Sequence, residues 1–528
     1  MMRFPRRRDL LEKRDSAKVM IKTAVQYHDH TSYDRHEMGG HYLDWQNQPR
    51  VYKEYPGIDP IPLPRNVQLP VERLSSLLDK KIDGNGSPQE IDLVNLSAIL
   101  LLTCTLTAKA RHGGEDFYYR SVPSAGALYP TEIYLAVREI EGLDDGLYHF
   151  GILHHDLTLL RSGDLSSHIG SLIQPPMKSA PQVTFFMTAI FFRSAWKYRD
   201  RAYRYHLLDT GHLVEHLDIA LKTFQLPFGL SYDFDDKKVN HLLGLDETRE
   251  VTLAVIQVPG GDSIPDTEKR EIVGLPDNIM KASHVSENEI LYPAIREVHE
   301  AGISGGQAPT GDLNMTRRIR VTPENWMEIP DSPSRPEVMN HRDAIFHRRS
   351  RRNFVKTPID KEAMMALLDA LCNSDSLYSS QEQGYDQSVC PGFLVGRAEE
   401  FDPGYYLLET SKRAFGKVSS GNFTEMAAHI CLDQAWLAQA GVHFLFISNL
   451  DLIDRTYGAR GYRYAMLTAG RLGERLYLTA TALGLGCCGI GALYDWEAAE
   501  LLGLNRESRL LYLVAVGPVK GGLEVSGS

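Results

Sequence analysis

The feature that most constrains this chain is an internal repeat at one fixed spacing. Tyr203-Arg204-Tyr205 returns 259 residues on as Tyr462-Arg463-Tyr464, and Gly211, Leu213, Glu215, Leu217 and Leu226 return as Gly470, Leu472, Glu474, Leu476 and Leu485. Upstream, Val183, Phe185, Tyr198 and Arg201 match Val442, Phe444, Tyr457 and Arg460. Downstream, Leu242-Leu243-Gly244-Leu245 matches Leu501-Leu502-Gly503-Leu504, and Pro259 matches Pro518. Coincidence does not hold one register across so many positions, so the chain contains one domain built twice. Each copy reads as an apolar strand (Val183 to Phe192; Val442 to Ile447), a helix, a Gly/Pro break, a short helix and a β-branched terminal strand. In the second copy Leu472, Leu476, Ala480 and Leu483 recur at helical spacing and share one face. The fold class expected is α+β, with one domain at 20–260, the other at 339–521 and a linker at 261–338. That linker is rich in breakers, with Gly260-Gly261, Gly302, Ser304, Gly305, Gly306, Pro309, Pro330, Pro333 and Pro336, and carries one helical segment near Ile290 to Glu300. Two copies of a domain in one chain can imitate a homodimer, so an intramolecular pseudo-dimer is the expected architecture.

Charge and composition remove several function classes. With 57 Lys and Arg against 68 Asp and Glu the net charge is −11, which argues against a general binder of nucleic-acid phosphates. The basic cluster Arg3, Arg6-Arg7-Arg8 runs into Asp9, Leu10, Leu11 and Glu12 instead of an apolar core, so no signal peptide is expected. The longest apolar runs fall far short of the ~20 residues that cross a bilayer, so no membrane span is expected either. Cys104, Cys372, Cys390, Cys431, Cys487 and Cys488 have no metal spacing and read as small buried apolar residues. A cytoplasmic location follows from that usage.

Two motifs invite readings that their context refuses. His212-Leu213-Val214-Glu215-His216 has the HxxEH form of a zinc-protease helix, but the repeat places Arg471, Glu474 and Arg475 at the matching positions and no third ligand is evident. An ordinary polar helix face is expected there, and no metal. Gly484-Leu485-Gly486-Cys487-Cys488-Gly489 fits GxGxxG, yet it follows a helix where a dinucleotide fingerprint follows a strand. Those glycines are expected to cap the helix and to let backbone approach a flat ligand.

Two other segments point toward a ligand. In His347-Arg348-Arg349-Ser350-Arg351-Arg352-Asn353-Phe354, an extended backbone would turn Arg348, Ser350 and Arg352 to one side, where two guanidinium groups and a hydroxyl suit a phosphate. A solvated charge run is the competing reading. In Arg120-Ser121-Val122-Pro123-Ser124-Ala125-Gly126-Ala127-Leu128-Tyr129-Pro130, small residues between prolines form a turn whose backbone groups could bond the edge of a heterocycle.

Arg348 to Phe354 resembles the RRSxRxF opening of the FMN-dependent nitroreductase family, and Pro123 to Gly126 resembles its PS turn. The helix Ala469 to Leu483 with Gly484-Leu485-Gly486 resembles the family's flavin-site helix and glycine loop. Tyr27-His28, Pro49, Tyr52-Lys53, Arg120 to Pro130 and Gly146-Leu147-Tyr148-His149 look like the SagB-type dehydrogenases, which include the azoline oxidases of ribosomal peptide maturation. The resemblance covers both copies and implies two nitroreductase-like α/β sandwich domains. In that family FMN lies between two subunits, which implies phosphate and loop contacts here from Arg348, Arg349, Ser350, Arg352, Leu485 and Gly486. It implies ring contacts from Pro123, Ser124, Ala125 and Gly126. Each copy lacks what the other has, so one composite FMN site per chain is expected and a dead mirror site. Lys197-Tyr198 resembles the Lys-Tyr pair that SagB-type enzymes place beside the flavin, which implies a catalytic pair here, and the second copy has Thr456 in place of the lysine.

The expected activity is a SagB-type dehydrogenation of a peptide-borne or small organic substrate, with hydride passing to the flavin. One alternative is an NAD(P)H-dependent nitro or quinone reductase, with NAD(P)H as electron donor. Another is an inactive scaffold binding a peptide or partner. Neither nucleic acid nor membrane is an expected partner, and further self-association is left open.

Overall fold

A computed structural model of the chain describes residues 20–40, 42–80, 82, 90–112, 115–260, 272–303, 313–331, 333–372 and 384–521. The basic cluster at Arg3 to Arg8, Gly261 and the linker stretch Ser304 to Pro309 lie outside the described residues. The first seven-stranded sheet is formed by β1 (Ile61–Pro62), β2 (Thr131–Val137), β3 (Gly146–Gly151), β4 (Asp156–Ser162), β5 (Pro181–Ile190), β6 (Gly229–Ser231) and β7 (Glu250–Pro259). Its order is β1-β4-β3-β2-β5-β7-β6. The second comprises β8 (Met327–Glu328), β9 (Cys390–Val395), β10 (Gly404–Glu409), β11 (Ala414–Ser420), β12 (Val442–Asn449), β13 (Gly486–Ile490) and β14 (Ser508–Gly517). Its order, β8-β11-β10-β9-β12-β14-β13, repeats the first strand for strand. Every residue of β5 and β14 is buried, as expected of long central strands covered on both faces.

The repeat also extends into the stretch read as linker. Its helix Pro293–Ala301 brings His299 to 4.0 Å from Asp236, while the helix Ala24–His30 brings His28 to 3.2 Å from Asp495, the residue matching Asp236. Strand β8 completes the edge of the second sheet as β1 does the first. The stretch from 313 to 331 therefore supplies part of the second domain's sheet. Another boundary differs for a local reason. The apolar run expected to be strand through Phe192 leaves the sheet at Ile190, and Phe191 and Phe192 open the helix Phe191–Tyr198. Burial of its first turn keeps the sequence apolar across the junction, so hydrophobicity alone does not mark it.

The two halves meet through their longest helices, α1 (Ala202–Thr223) and α2 (Gly461–Ala482), whose residues are buried all round. They cross at the matching glycines. A Cβ on Gly211 would stand 2.2 Å from the Leu467 carbonyl oxygen, and one on Gly470 would stand 2.3 Å from that of Leu208. On either side of the crossing, matching ion clusters join the halves. Arg201 and Arg204 bond Asp495 at 2.7 and 2.6 Å, and Arg460 and Arg463 bond Asp236 at 2.6 and 2.5 Å. Burial pushes the Asp236 carboxyl up, but Arg463 and Arg460 outweigh it and hold it at about 2. The HxxEH face is part of the same contact and is not the ordinary polar face expected. His212 and His216 each lie 2.7 Å from a Glu474 carboxylate oxygen, and Arg471 and Arg475 bond Glu215 at 3.0 and 2.6 Å. All these side chains are buried, and among the described residues no His/Cys/Asp/Glu group could hold a metal. All six cysteines are free and buried. No described helix is long and apolar enough to cross a membrane.

Gly211→Ala is expected to destabilise the chain by about 1–3 kcal/mol in urea unfolding, because the added methyl meets backbone that has to move. Gly229→Ala, with open space at its Cβ position, should stay within about 0.5 kcal/mol. Equal effects at both sites would contradict the close crossing.

Candidate functional site

The PS turn and the Lys-Tyr pair, separated in sequence, meet at the end of the first sheet. Gly126, Ala127 and Tyr129 all have positive φ, at 66°, 55° and 47°, a left-handed path that costs free energy at the two non-glycine positions. Several bonds hold the turn in that path. The Ser124 hydroxyl donates to Asp209 Oδ2 at 2.6 Å, the Ala125 N–H donates to Oδ1 at 3.2 Å, and the Tyr129 N–H donates to Ser124 Oγ at 2.9 Å. Arg193 donates to the Tyr129 carbonyl at 3.0 Å. Lys197 and Tyr198, in the last turn of their helix, stand over this turn. A Cβ on Gly126 would lie 2.7 Å from the Tyr198 hydroxyl and 3.2 Å from Lys197 Nζ, so only glycine leaves both groups in place.

The arginine segment enters from the other half. Arg348 is buried; its Nε donates to the Ser121 carbonyl, its Nη2 to that of Arg120 at 3.1 Å, and its guanidinium lies 5.5 Å from the Tyr477 ring centroid. Ser350 Oγ lies 3.0 Å from the Tyr477 hydroxyl. Arg352 is exposed, lies over Trp436 and interacts with Cys488, which also interacts with Tyr477. Positions 348, 350 and 352 thus address one region, around Tyr477 and Cys488. Arg349 does not join them: its guanidinium donates to the carbonyls of Phe346, Arg348 and Thr107 at 3.0, 2.6 and 2.7 Å.

Leu485 and Gly486, expected as loop contacts, are buried and close the helix end. The Leu485 N–H bonds the Ala480 carbonyl at 2.7 Å, and a Cβ on Gly486 would meet Val519 at 2.1 Å and Arg351 at 3.1 Å. Gly484 has φ 76°, suited to a residue that ends a helix. Gly484 and Gly489 are the half-buried glycines of the motif, and Gly489, in β13, donates its N–H to the Tyr477 hydroxyl at 2.6 Å.

Charge gathers where the halves meet. Burial lowers the Lys197 ammonium pKa, and Arg352 lowers it further. Burial, then the Asp209 carboxyl, push the Tyr198 phenol well up. Burial raises Asp209 itself to about 7 despite the bonds from Ser124 and Ala125. Among the described residues no carboxylate pairs with Arg348, Arg351 or Arg352, and Arg348 Nη1 and Arg351 Nε are buried without a partner. The arrangement can take an anion beside the second half's arginines and a planar group against the first half's turn.

The mirror position is filled with side chains. Tyr232, Tyr385, Tyr464 and Tyr457 are all buried, with ring centroids 4.5 Å apart for Tyr232 and Tyr385, 4.8 Å for Tyr385 and Tyr464, and 5.4 Å for Tyr457 and Tyr464. Tyr457 and Tyr464 match Tyr198 and Tyr205, whereas Tyr232 matches Gly491, where a Cβ would lie 2.6 Å from Tyr205. Sequence reasoning missed Asp209 and Tyr477. The only sequence mark on Asp209 is an asymmetry, since its match in the second copy is Thr468.

The nitroreductase family pattern matches twice, over residues 72–260 and 345–518. The chain belongs to the nitroreductase family. It is a tandem member and an oxidoreductase, with both domains in one polypeptide. It is 30% identical over 172 residues to the trifolitoxin-processing protein TfxB of Rhizobium leguminosarum bv. trifolii, covering 31% of this chain and 45% of that relative, so it spans less than half of the relative's length. It is 25% identical over 193 residues to an archaeal protein named as a nitroreductase, MJ1384 of Methanocaldococcus jannaschii, covering 35% of this chain and 93% of the other. A structure described as a nitroreductase from Anabaena variabilis superposes with TM-score 0.71 at 24% identity, covering 95% of this nitroreductase-family chain and all of the other, and shows the same tandem fold.

The raised Asp209 pKa carries a sign. Between about pH 4 and pH 7 the folded chain holds a proton there that the unfolded chain releases, so stability falls as pH rises through this window. Denaturant unfolding should show wild type losing stability relative to Asp209→Asn from pH 4 to 7, with no further divergence above about pH 8. A difference independent of pH would mean the carboxyl is ionised in the fold throughout.

Proposed function

We propose that the chain holds one FMN between its halves and catalyses a two-electron dehydrogenation of a peptide-borne or small organic substrate, as SagB-type enzymes do. One observation carries this reading: the turn at Gly126 and the Lys197-Tyr198 pair of the first half adjoin Arg352 of the second, close enough for Arg352 to lower Lys197. The donor set fits FMN. The arginine segment keeps positive charge that no described carboxylate neutralises, with the buried Arg348 Nη1 lacking a partner, which suits a phosphate. Arg352 and Ser350 would hold that phosphate, and the backbone of Pro123 to Gly126 would meet the ring. When bound, FMN supplies a hydride acceptor.

The remaining chemistry belongs to the chain. Lys197, lowered by burial and by Arg352, is a neutral amine over more of the working pH range than an ordinary lysine and takes the proton from the substrate atom next to the hydride donor. Tyr198, pushed up, keeps its proton and serves as a fixed donor that orients substrate. The tyrosines packed in the mirror position support one flavin per chain. The relationship to a trifolitoxin-processing protein supports a peptide substrate. The un-neutralised arginines speak against an inactive scaffold, which has no use for a phosphate cradle. Steady NADPH oxidation with a nitroaromatic would instead favour the reductase alternative.

Purified protein should release about one FMN per chain, and Arg352→Ala, a change at an exposed position, should weaken FMN binding at least about tenfold in fluorescence titration. Absence of FMN binding by the wild type would sink the proposal. Lys197→Ala should keep the flavin and lose about 10²–10⁴-fold in conversion of a thiazoline-bearing peptide, read as a mass loss of about 2 Da. In the wild type that rate should fall as pH drops, with a midpoint below the 10.5 of an unperturbed lysine. Full activity in Lys197→Ala would remove lysine from the mechanism.

A further inference from the structure

The chain supplies an internal control for what its fold requires, because each sheet position occurs twice. Across β2, β3 and β4 the register sets Tyr134 opposite His149, His149 opposite Thr158, and Gly151 opposite Asp156. In the second sheet the same ladder reads Gly392 opposite Leu407, Leu407 opposite Gly416, and Glu409 opposite Ala414. The neighbouring strands confirm the alignment, since Phe186 pairs Tyr134 and its match Leu445 pairs Gly392. The fold therefore tolerates small and apolar residues at most of these places. In the first sheet the same face carries Tyr134, His149, Thr158 and Asp156, together with Glu132.

The covering segments differ in step with the sheets. In the second copy the chain before β8 lies directly on the sheet: a Cβ on Gly416 would meet the Asn325 carbonyl oxygen at 2.4 Å and Pro323 at 2.5 Å. In the first copy the segment Tyr52 to Pro60 touches this face at Tyr134, through Lys53 and Tyr55, and borders an open cavity of about 420 Å³ over Glu132, His149, Asp156 and Thr158. Most charges here are neutralised. Glu132 bonds Arg193 at 2.5 Å and His149 at 2.9 Å, and Lys53 is paired with Glu250. Asp156 is not. It is 8% exposed, no described residue hydrogen-bonds or ion-pairs its carboxyl, and only the charges of His154, His149 and Arg65 act on it from a distance. Gly151 makes room for it, since a Cβ there would lie 2.0 Å from Asp156 Oδ1. The Asp156 oxygens are reached only across this cavity, so a cationic ligand seated there would replace the water that solvates them.

We propose that this cavity is a second binding site, for a ligand that carries one guanidinium or ammonium group on an apolar stem. The cation meets Asp156, and the stem lies along Tyr52, Tyr55, Ile58 and Ile152, which line the same cavity. Asp156 is the unpaired acidic group on the floor, and the exposed Glu54 at the rim adds negative charge to the same cavity, which favours a cationic guest. The site is separate from the proposed flavin site and does not depend on it. A basic side chain of a peptide and a free alkylguanidine share this chemistry.

Calorimetry on the full-length chain tests the assignment with N-acetyl-arginine methylamide, its uncharged isostere N-acetyl-citrulline methylamide, and butylguanidine. The expected result is saturable one-to-one binding of the arginine probe, at least about tenfold weaker for the citrulline probe and for Asp156→Asn, and unchanged in Arg352→Ala. Comparable binding of butylguanidine would identify a free alkylguanidine as guest, and a clear preference for the acetylated probe would identify a peptide side chain. Should Asp156→Asn fail to fold, His154→Arg at an exposed position beside the carboxylate adds like charge and is expected to weaken the cations similarly. No saturable binding of either cation, or binding undiminished in these variants, would overturn the proposal.

Discussion

Two helices can approach to backbone contact only where neither carries a side chain, and the relation of the two halves depends on one such place. Gly211 and Gly470, the same position of the repeated unit, face each other where α1 crosses α2, with each missing side chain giving room to the other helix's backbone. Close contact alone leaves the crossing free to slide. The flanking clusters oppose sliding, because Asp495 and Asp236 each meet two arginines of the opposite half, and Glu215 and Glu474 each meet two bases. Buried ion pairs of this kind contribute little net stability after desolvation, but a shift of register would strand several charges at once. The candidate site inherits that alignment: Arg348 of one half reaches the Ser121 carbonyl of the other, just before the PS turn.

The duplication was legible because core positions recur in both copies under the same packing demand. What the recurrence meant was less legible. Tyr203-Arg204-Tyr205 and its copy serve in the sequence as markers of register, whereas in the fold their arginines latch the halves together. The HxxEH face reads as an ordinary polar helix face because its counter-charges lie about half the chain away. The edge strand Met327–Glu328 has two exposed residues and no periodicity, so the stretch around it reads as linker.

The candidate site was legible in its parts more than in its directions. Side chains at 348, 350 and 352 share a region as alternation in an extended segment requires, and Arg349 turns away for the same reason. Leu485 and Gly486 were drawn toward a ligand by a glycine pattern whose local task is to end a helix against Val519 and Arg351. Asp209 had no local signature, since a carboxylate that grips a turn 85 residues away is invisible until the chain folds.

In a duplicated chain, positions that agree between copies report mostly on packing, and positions that differ report on what one copy does and the other does not. The two glycines at the crossing agree because both are needed. Asp209 and Thr468, Gly491 and Tyr232, Lys197 and Thr456 differ, and each difference falls at the candidate site or its tyrosine-filled mirror. The polar face of the first sheet is a second cluster of differences, at a place where the fold accepts Leu407, Ala414 and Gly416. Packing does not require a carboxylate where the other copy has Ala414, and that difference is the reason to look for a ligand at this face.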